Sequence, residues 1–368
     1  MSSSPCVSVV MPVFNGERYL KEAVEGILNQ TFGDFEFIIN NDGSTDNTRG
    51  ILESYADARI KLVEQEHQGL IASLNRGLAI AGGEYVARMD SDDIAAPERL
   101  EKQVAFLRTH PKIGILGTAC RIIDDNGRDL GVRRWPISDL EIRWTSLLSS
   151  PFGHPTVILR RDILTKHGLE YADVFHTVED YDLWIRALNH TRGANLDEPL
   201  LKYRVHGDRV TSKFRDQQLR NHDAVALRAI REQLPEFVIT PEQVSQFRGL
   251  FVGGSEFMPG LDVRRVTLAE LYLDMLRAFM SLRHGEPGLE RLQRREALRM
   301  ARLVLRWPLR PGWMRVIRRL IKLEPGLPWR FSGYLWHAAC RRLVPRRHRL
   351  KLARDLVAVG TKSGLPAE

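Results

Sequence analysis

The chain has 368 residues, of which 43% are hydrophobic and 27% charged, and its formal net charge is +8. This composition is typical of a globular protein and excludes a disordered or fibrous chain. No apolar run reaches about 18 residues, which argues against a membrane-spanning helix.

The charge is distributed unevenly along the chain. Residues 291–354 hold 19 basic and 2 acidic residues, whereas residues 1–290 have a net charge of −8. This split predicts an anionic partner for the C-terminal segment. The N-terminus lacks a basic leader and is typical of a chain entering a strand. Cys6, Cys120 and Cys340 are too widely spaced for a disulfide framework or a metal-ligand pair, which favours reduced thiols in a cytoplasmic chain.

Strands and helices alternate over the first 120 residues. Apolar runs predict strands over residues 7–13, 35–39, 60–63, 85–89 and 113–119. Helical periodicity and capping signals predict helices over residues 17–30, 46–56, 69–81 and 97–109. This alternation predicts an α/β fold with a mostly parallel sheet flanked by helices. In such sheets, ligands bind beyond the carboxyl ends of the strands.

The rest of the chain is less regular and then helical. Residues 124–127 (DDNG) predict a hairpin turn. Shorter elements are predicted over residues 156–159, 181–189, 200–205 and 212–233. We therefore expect an α/β domain over residues 1–235 and a helical, Arg-rich region over residues 236–368.

Three carboxylates, Asp90, Asp92 and Asp93, follow the predicted strand that ends at residue 89. Like charges this close resist joint ionisation, and a divalent cation relieves the repulsion. Oxygen ligands suit Mg²⁺ or Mn²⁺. The structural alternative is a solvated acidic turn before the next helix.

A second acidic group, Glu179, Asp180 and Asp182, stands at a predicted helix start. One of these carboxylates can serve as a general base, or the group stabilises the helix N-terminus. His206 follows a predicted strand. A lone histidine is usually structural, but neutral imidazole also completes metal sites.

Three segments resemble glycosyltransferase family 2, which has the GT-A fold. They are VSVVMPVFNGERYLKEAVEGILNQTFGDFEFIINNDGSTDNT from residue 7, GEYVARMDSDDIAAPERLEKQ from residue 83, and EDYDLWIRA from residue 179. The resemblance covers residues 5–215. It implies an inverting hexosyl- or N-acetylhexosaminyltransferase that uses a nucleotide-sugar donor, most often a UDP-sugar, with Mg²⁺ or Mn²⁺.

The resemblance also implies roles at the donor site. Pro12 and Phe14 would line the base pocket, with Phe14 against the uracil face, and Asp42 would hydrogen-bond the uracil edge. Asp92 would be a direct metal ligand, and Asp90 would bind the ribose or the metal. The chain departs from the family pattern at Asn41, where the family usually has Asp.

Further roles follow from the same resemblance. Asp180 would be the catalytic base with Glu179 beside it, and His206 would join the metal–diphosphate site. His154 falls on the acceptor side and is a weaker candidate for acceptor binding. The QxxRW motif of processive synthases is absent from the sequence, which favours addition of a single sugar.

Residues 313–323 have a helical period with two contrasting faces. Trp313, Ile317, Leu320 and Ile321 form one face, and Arg315, Arg318, Arg319 and Lys322 form the other. This pattern predicts an interfacial helix on anionic lipid. The alternative is a helix packed on the catalytic domain with a solvated Arg face. No recognised module predicts a nucleic-acid partner.

Together these features predict a glycosyltransferase at the inner face of the cytoplasmic membrane. Its acceptor would be a lipid-linked or cell-surface polysaccharide glycan. The sequence leaves two alternatives open: a non-catalytic nucleotide-sugar or polyanion-binding protein with the same fold, and a sugar nucleotidyltransferase.

Overall fold

The computed structural model describes residues 4–206, 215–251, 265–306 and 313–325. The chain divides into two units, the first ending at Phe257 and the second beginning at Met258. Among the described residues, no helix combines the length and the apolar composition that a membrane span requires.

A nine-stranded sheet organises the first unit. Its strands are β1 (Val7–Val13), β2 (Phe35–Asp42), β3 (Ile60–Gln65), β4 (Tyr85–Arg88), β5 (Ile94–Ala95), β6 (Ile113–Ile123), β7 (Asp129–Arg133), β8 (Ile158–Arg160) and β9 (Arg192–Arg204). Their order is β3-β2-β1-β4-β8-β6-β9-β5, with β7 paired to β6. The sheet is flanked by helices α1 (Leu20–Leu28), α2 (Thr48–Glu53), α3 (Leu70–Ile80), α4 (Arg99–Thr109), α5 (Asp139–Ser146), α6 (Arg161–Lys166), α7 (Glu179–Leu188), α8 (Arg215–Gln233) and α9 (Pro241–Phe251).

The first four strands of this order are parallel, as the alternation of elements predicts. Val7 of β1 pairs with Phe35 of β2 and with Tyr85 of β4, and β3 runs parallel to β2. The other half of the sheet is mixed, because β8 runs antiparallel to both β4 and β6. Strand β8 follows a hairpin and α5 instead of a strand–helix crossover. The α/β fold is confirmed. Because β1, β2 and β4 are parallel, their carboxyl ends lie together at one end of the sheet.

Strand alternation assigns each buried residue to one face of the sheet. Val7, Val9, Met11 and Val13 of β1 share a core with the apolar faces of α1 and α4. Val10 points to the opposite face, where it packs with Ile38 and the end of α3. All seven residues of β1 are buried, which explains the continuous apolar run that identifies this strand in the sequence.

Helix α9 follows residue 235, the predicted domain boundary, and packs within the first unit. Phe247 is fully buried, Arg248 pairs with Asp223 of α8, and Nε of Arg248 donates to the carbonyl of Leu148 at 3.0 Å. The first unit therefore includes helical chain beyond the predicted boundary.

The second unit contains α10 (Arg265–Ser281), α11 (Leu289–Arg306) and α12 (Trp313–Leu323). Val316 and Leu320 of α12 are buried, and Arg315 and Arg319 pair with Glu270 and Asp274 of α10. Helix α12 therefore packs on its own unit, and part of its basic face is neutralised there. Ile321, which the sequence assigns to the apolar face, is 37% exposed.

Candidate active site

The three carboxylates predicted to form a metal site lie together in the turn after β4. One oxygen each of Asp90, Asp92 and Asp93 lies within 4.8 Å of the others. Nε2 of His206, which follows β9, is 2.8 Å from Oδ2 of Asp92. The fold thus brings together residues 114 positions apart, since β9 is the partner of β5 just beyond this turn.

Burial and mutual repulsion raise the pKa values of two of these carboxyl groups. The pKa of Asp92 is raised by burial and by the charge of Asp90, while His206 opposes the shift. The pKa of Asp93 lies well above its usual range, because of burial and then the charges of Asp90 and Asp92. A cation between these oxygens would reverse both effects.

The donor set fits a hard divalent cation. Oδ2 of Asp93 and Nδ1 of His206 are buried without a hydrogen-bond partner among the described residues. An unpaired buried carboxylate oxygen is costly and indicates that the site is built for a further ligand. The carboxylate oxygens of this turn suit Mg²⁺ or Mn²⁺.

Arg204 holds the backbone of this turn. Its amide donates to Oδ1 of Asp93 at 2.8 Å, and its Nε donates to the carbonyl of Asp92 at 3.0 Å. Its Nη2 bonds Glu22 of α1 at 3.0 Å, and its guanidinium lies 4.4 Å from the ring centroid of Tyr19. No sequence motif singles out Arg204, because these contacts come from two distant segments, residues 19–22 and residues 92–93.

Phe14 follows β1 and lies at the same end of the sheet as the turn after β4. Its ring is 45% exposed and stacks on the ring of His67, with 4.0 Å between centroids. Pro12 is buried within β1. Asn15, which follows Phe14, has φ of 50°, and its Oδ1 accepts from the backbone amide of Thr45 at 2.8 Å. This contact ties the loop after β1 to the loop after β2 and fixes the position of Phe14.

Asp42 ends β2 and is 3% exposed. Burial alone would raise its pKa, but the amide of Gln68, the side chain of Gln65 and the amide of Gly69 donate to the carboxylate, so the net shift is downward. Asp42 therefore stays ionised and organises the loop between β3 and α3. That loop carries His67, which sequence reasoning missed because no motif includes it.

Glu179 and Asp180 are the first residues of α7, and they form the second carboxylate group of the site. Burial raises the pKa of Asp180 to about 6. Burial and the charge of Asp180 raise the pKa of Glu179 to about 7. Oγ of Ser150 lies 3.5 Å from Oδ2 of Asp180. A carboxyl group with a pKa near the working pH has the property that a general base requires.

The turn before these carboxylates is strained. Thr177 has φ of 72°, which is unfavourable for a β-branched residue. Two side-chain amides of α8 hold this turn. Nε2 of Gln218 donates to the carbonyl of Thr177 at 3.1 Å, and Nδ2 of Asn221 donates to the carbonyl of His176 at 2.8 Å. Strained backbone next to candidate catalytic groups is a common property of active sites.

Arg88 connects the two carboxylate groups electrostatically. It ends β4, is 4% exposed and forms an ion pair with Asp90. Its positive charge also lowers the pKa values of Glu179 and Asp180 against the raising effect of burial. One buried cation therefore acts on both the metal-site turn and the candidate base.

His154 lies near enough to Arg88 for the charge of Arg88 to act on its ring. Its Nε2 is 3.0 Å from the hydroxyl oxygen of Tyr171, and its ring packs edge-on to Trp184, which is fully buried. Burial and the charge of Arg88 hold the pKa of His154 well below its usual value. The ring is therefore neutral at pH 7 and packs against Tyr171 and Trp184.

Comparison with known proteins agrees with this geometry. The model of the family described as "Glycosyl transferase family 2" matches residues 8–168. A putative glycosyltransferase, EpsE of Bacillus subtilis, is 39% identical over 214 residues, which cover 56% of this chain and 76% of EpsE. The O-antigen biosynthesis glycosyltransferase WbnJ of Escherichia coli is 35% identical over 206 residues, covering 54% and 80% of the two chains.

The chain belongs to glycosyltransferase family 2. This membership confirms the resemblance drawn from the sequence and identifies the protein as a glycosyltransferase. The fold agrees as well. The structure of S. aureus TarS residues 1–349 with UDP-GlcNAc superposes with a TM-score of 0.53 at 21% identity, covering 88% of this glycosyltransferase and 91% of that chain.

Proposed function

We propose that this glycosyltransferase moves one hexosyl or N-acetylhexosaminyl group from a UDP-sugar to a glycan or lipid-linked acceptor, with inversion. The observation that carries the proposal is that the buried guanidinium of Arg88 pairs with Asp90 and also lowers the pKa of Asp180. The site thus combines a cation-binding turn with a carboxylate base. The proposed donor agrees with TarS, whose structure contains UDP-GlcNAc.

Asp180 is the residue that we propose as the base. Its carboxylate accepts the proton of the acceptor hydroxyl as that oxygen attacks the anomeric carbon. Attack from the face opposite the leaving group inverts the configuration at that carbon. Glu179, with the higher pKa of the two, stays protonated in part at pH 7 and limits the negative charge beside Asp180.

The donor-side residues bind and orient the nucleotide. Phe14 offers an exposed ring for the base, and Asp42 fixes the loop beside it. Asp92 and His206, with Asp90, would hold Mg²⁺ or Mn²⁺, which when bound offsets negative charge on the leaving diphosphate. Arg204 holds the backbone carbonyl of Asp92 and the carboxylate of Asp93 in place, so the turn is oriented before the donor arrives.

The acceptor and location are proposed from the relatives and from surface charge. The name of WbnJ places that relative in O-antigen biosynthesis, and we propose a related cell-envelope acceptor here. On α12, Arg318, Ile321 and Lys322 are exposed, as are Arg291 and Arg302 on α11. We propose that this basic surface attaches the second unit to the anionic inner face of the cytoplasmic membrane.

A donor screen tests the reaction. Purified protein with Mg²⁺ or Mn²⁺ is given a panel of nucleotide sugars, and release of the nucleoside diphosphate is measured. We expect release from a UDP-sugar, with a loss of at least about 100-fold in the Asp180→Asn and Asp92→Ala variants. Asp162→Asn is the control, because Asp162 lies on α6. This helix follows β8, which runs antiparallel to β4, so α6 begins at the end of the sheet opposite to the turn after β4. Near wild-type rates in either site variant would contradict the assignment.

A further inference from the structure

Arg99 is the first residue of α4, and its side chain is a fully buried cation. Unlike Arg88, which pairs with Asp90, Arg99 forms no ion pair with a carboxylate of the described residues. Burial and the charge of Arg88 lower the pKa of Arg99 to about 9, so the guanidinium stays protonated at pH 7. A buried charge without an ion-pair partner is costly, and its hydrogen bonds indicate what it stabilises.

The guanidinium of Arg99 is bonded to the end of β4. Its Nη2 donates to the backbone carbonyl of Arg88 at 2.7 Å, and its Nη1 lies 3.4 Å from Sδ of Met89. Arg88 is the last residue of β4, and Met89 stands directly before Asp90. Arg99 therefore contacts the two residues that lead into the turn with the three carboxylates.

Gln103, one turn further along α4, holds the guanidinium in this place. Nε of Arg99 donates to Oε1 of Gln103 at 3.2 Å, and both side chains are fully buried. Nε2 of Gln103 donates to the carbonyl of Thr156, just before β8, at 2.8 Å and to the carbonyl of Leu116 in β6 at 3.3 Å. Through Gln103, the guanidinium is thus fixed to three separate elements of the fold.

We propose that Arg99 is a positioning residue of the cation site: it holds the end of β4 so that the carboxylates of Asp90 and Asp92 stay within reach of one ion. The inference rests on the proposed cation site and adds to it a residue that does not touch the ion. Groups that orient the ligands of a metal commonly contribute about 10- to 100-fold to its affinity. The charge of Arg99 acts in the opposite direction, because one cation repels another. The sign of the change in affinity therefore separates positioning from charge.

Binding of Mn²⁺ alone to the full chain at pH 8, followed by electron paramagnetic resonance of the free ion, tests this role. Arg99→Met replaces the guanidinium by an apolar side chain of similar length, which leaves no charge buried. We expect the Kd for Mn²⁺ to rise about 10-fold in this variant. Arg99→Lys keeps the charge and a donor for the carbonyl of Arg88 but loses the fork that also bonds Gln103, so its Kd should rise about 3-fold.

Arg160→Met is the matched control. Arg160 also donates to two backbone carbonyls, from Nε to Ile113 at 3.0 Å and from Nη2 to Leu107 at 2.6 Å. It pairs with Tyr85, the first residue of β4, and so lies at the end of the sheet opposite to the turn. This variant should lower the melting temperature, because two carbonyls lose a donor, and should leave the affinity for Mn²⁺ unchanged.

The outcomes distinguish the role of Arg99 from the cation site itself. A Mn²⁺ affinity in Arg99→Met equal to or tighter than that of wild type would overturn the positioning role, whatever the melting temperature. If Arg99→Met does not fold, an unchanged affinity in Arg99→Lys overturns it in the same way. Absence of Mn²⁺ binding in wild type, or wild-type binding in Asp92→Ala, would overturn the proposed cation site and this inference with it.

Discussion

Asp180 and Glu179 have raised pKa values because helix α7 places them in a buried position where two carboxylates share the charge of Arg88. Their pKa values of about 6 and about 7 differ enough that Asp180 is mostly ionised at pH 7 while Glu179 is partly protonated. Burial thus gives two adjacent acidic residues different charges at pH 7, and the more ionised one, Asp180, is the base that we propose.

The rate of transfer should therefore depend on pH through Asp180. The base acts in its deprotonated form, and its pKa in the folded protein is raised to about 6. Activity should be constant above about pH 7 and fall about 10-fold per unit well below pH 6. The measurement is kcat at saturating donor from pH 5 to 9, with circular dichroism at each pH to show that the fold persists. A rate that stays flat down to pH 5 would exclude Asp180 as the titrating base.

At the level of secondary structure, α8 holds the turn that precedes the proposed base. Its side chains Gln218 and Asn221 bond the carbonyls of the turn that contains Thr177 at φ of 72°. A backbone conformation of this kind costs of order 1–3 kcal/mol and persists only when its surroundings enforce it. The start of α7 therefore depends on a helix that lies more than 35 residues further along the chain.

Removing both amides, in Gln218→Ala with Asn221→Ala, should let the turn relax and displace Asp180. We expect kcat to fall about 10-fold with the KM for the donor within about 2-fold, because positioning of the base is lost while donor contacts remain. Gln217→Ala changes an exposed neighbour on the same helix and should behave as wild type. An unchanged kcat in the double variant would show that the hydrogen bonds from Gln218 and Asn221 have only a structural role.

For the molecule as a whole, the net charge of +8 is the sum of two different regions. The first unit presents the acidic turn after β4 that we propose as the cation site. In the second unit α12 buries Val316 and Leu320, so insertion of that face into lipid, as the sequence pattern predicts, would require the unit to open. We therefore propose attachment through surface charge and not through helix insertion.

Liposome flotation tests this attachment in the full chain. Reversing Arg318 and Lys322 to Glu removes two outward cations, and each basic residue near an anionic surface contributes about 1 kcal/mol. Partitioning onto anionic vesicles should fall at least about 30-fold, while partitioning onto neutral vesicles stays low. Lys112→Glu with Lys166→Glu makes the same change in net charge on the first unit and should have little effect. Equal partitioning of both double variants would contradict membrane attachment by this surface.

The sequence by itself determined the family, the parallel half of the sheet and the helix over residues 313–323. These features depend on local signals: apolar runs, helical periods and turn residues, which neighbouring residues largely fix. The mixed half of the sheet was not predictable, because the direction of β8 depends on which strands it meets and not on its own residues.

Only the tertiary structure decided how the candidate site is assembled. His206 reaches Asp92 across 114 residues, Arg204 contacts both residues 19–22 and residues 92–93, and Nδ1 of His67 lies 2.8 Å from Oδ2 of Asp42. The buried face of α12 was also decided there, since the same helical period presents Val316 and Leu320 to α10 and α11. The physical reason is common to all of them. Chain periodicity specifies which face of an element is apolar, whereas strand order and packing decide which distant side chains that element meets.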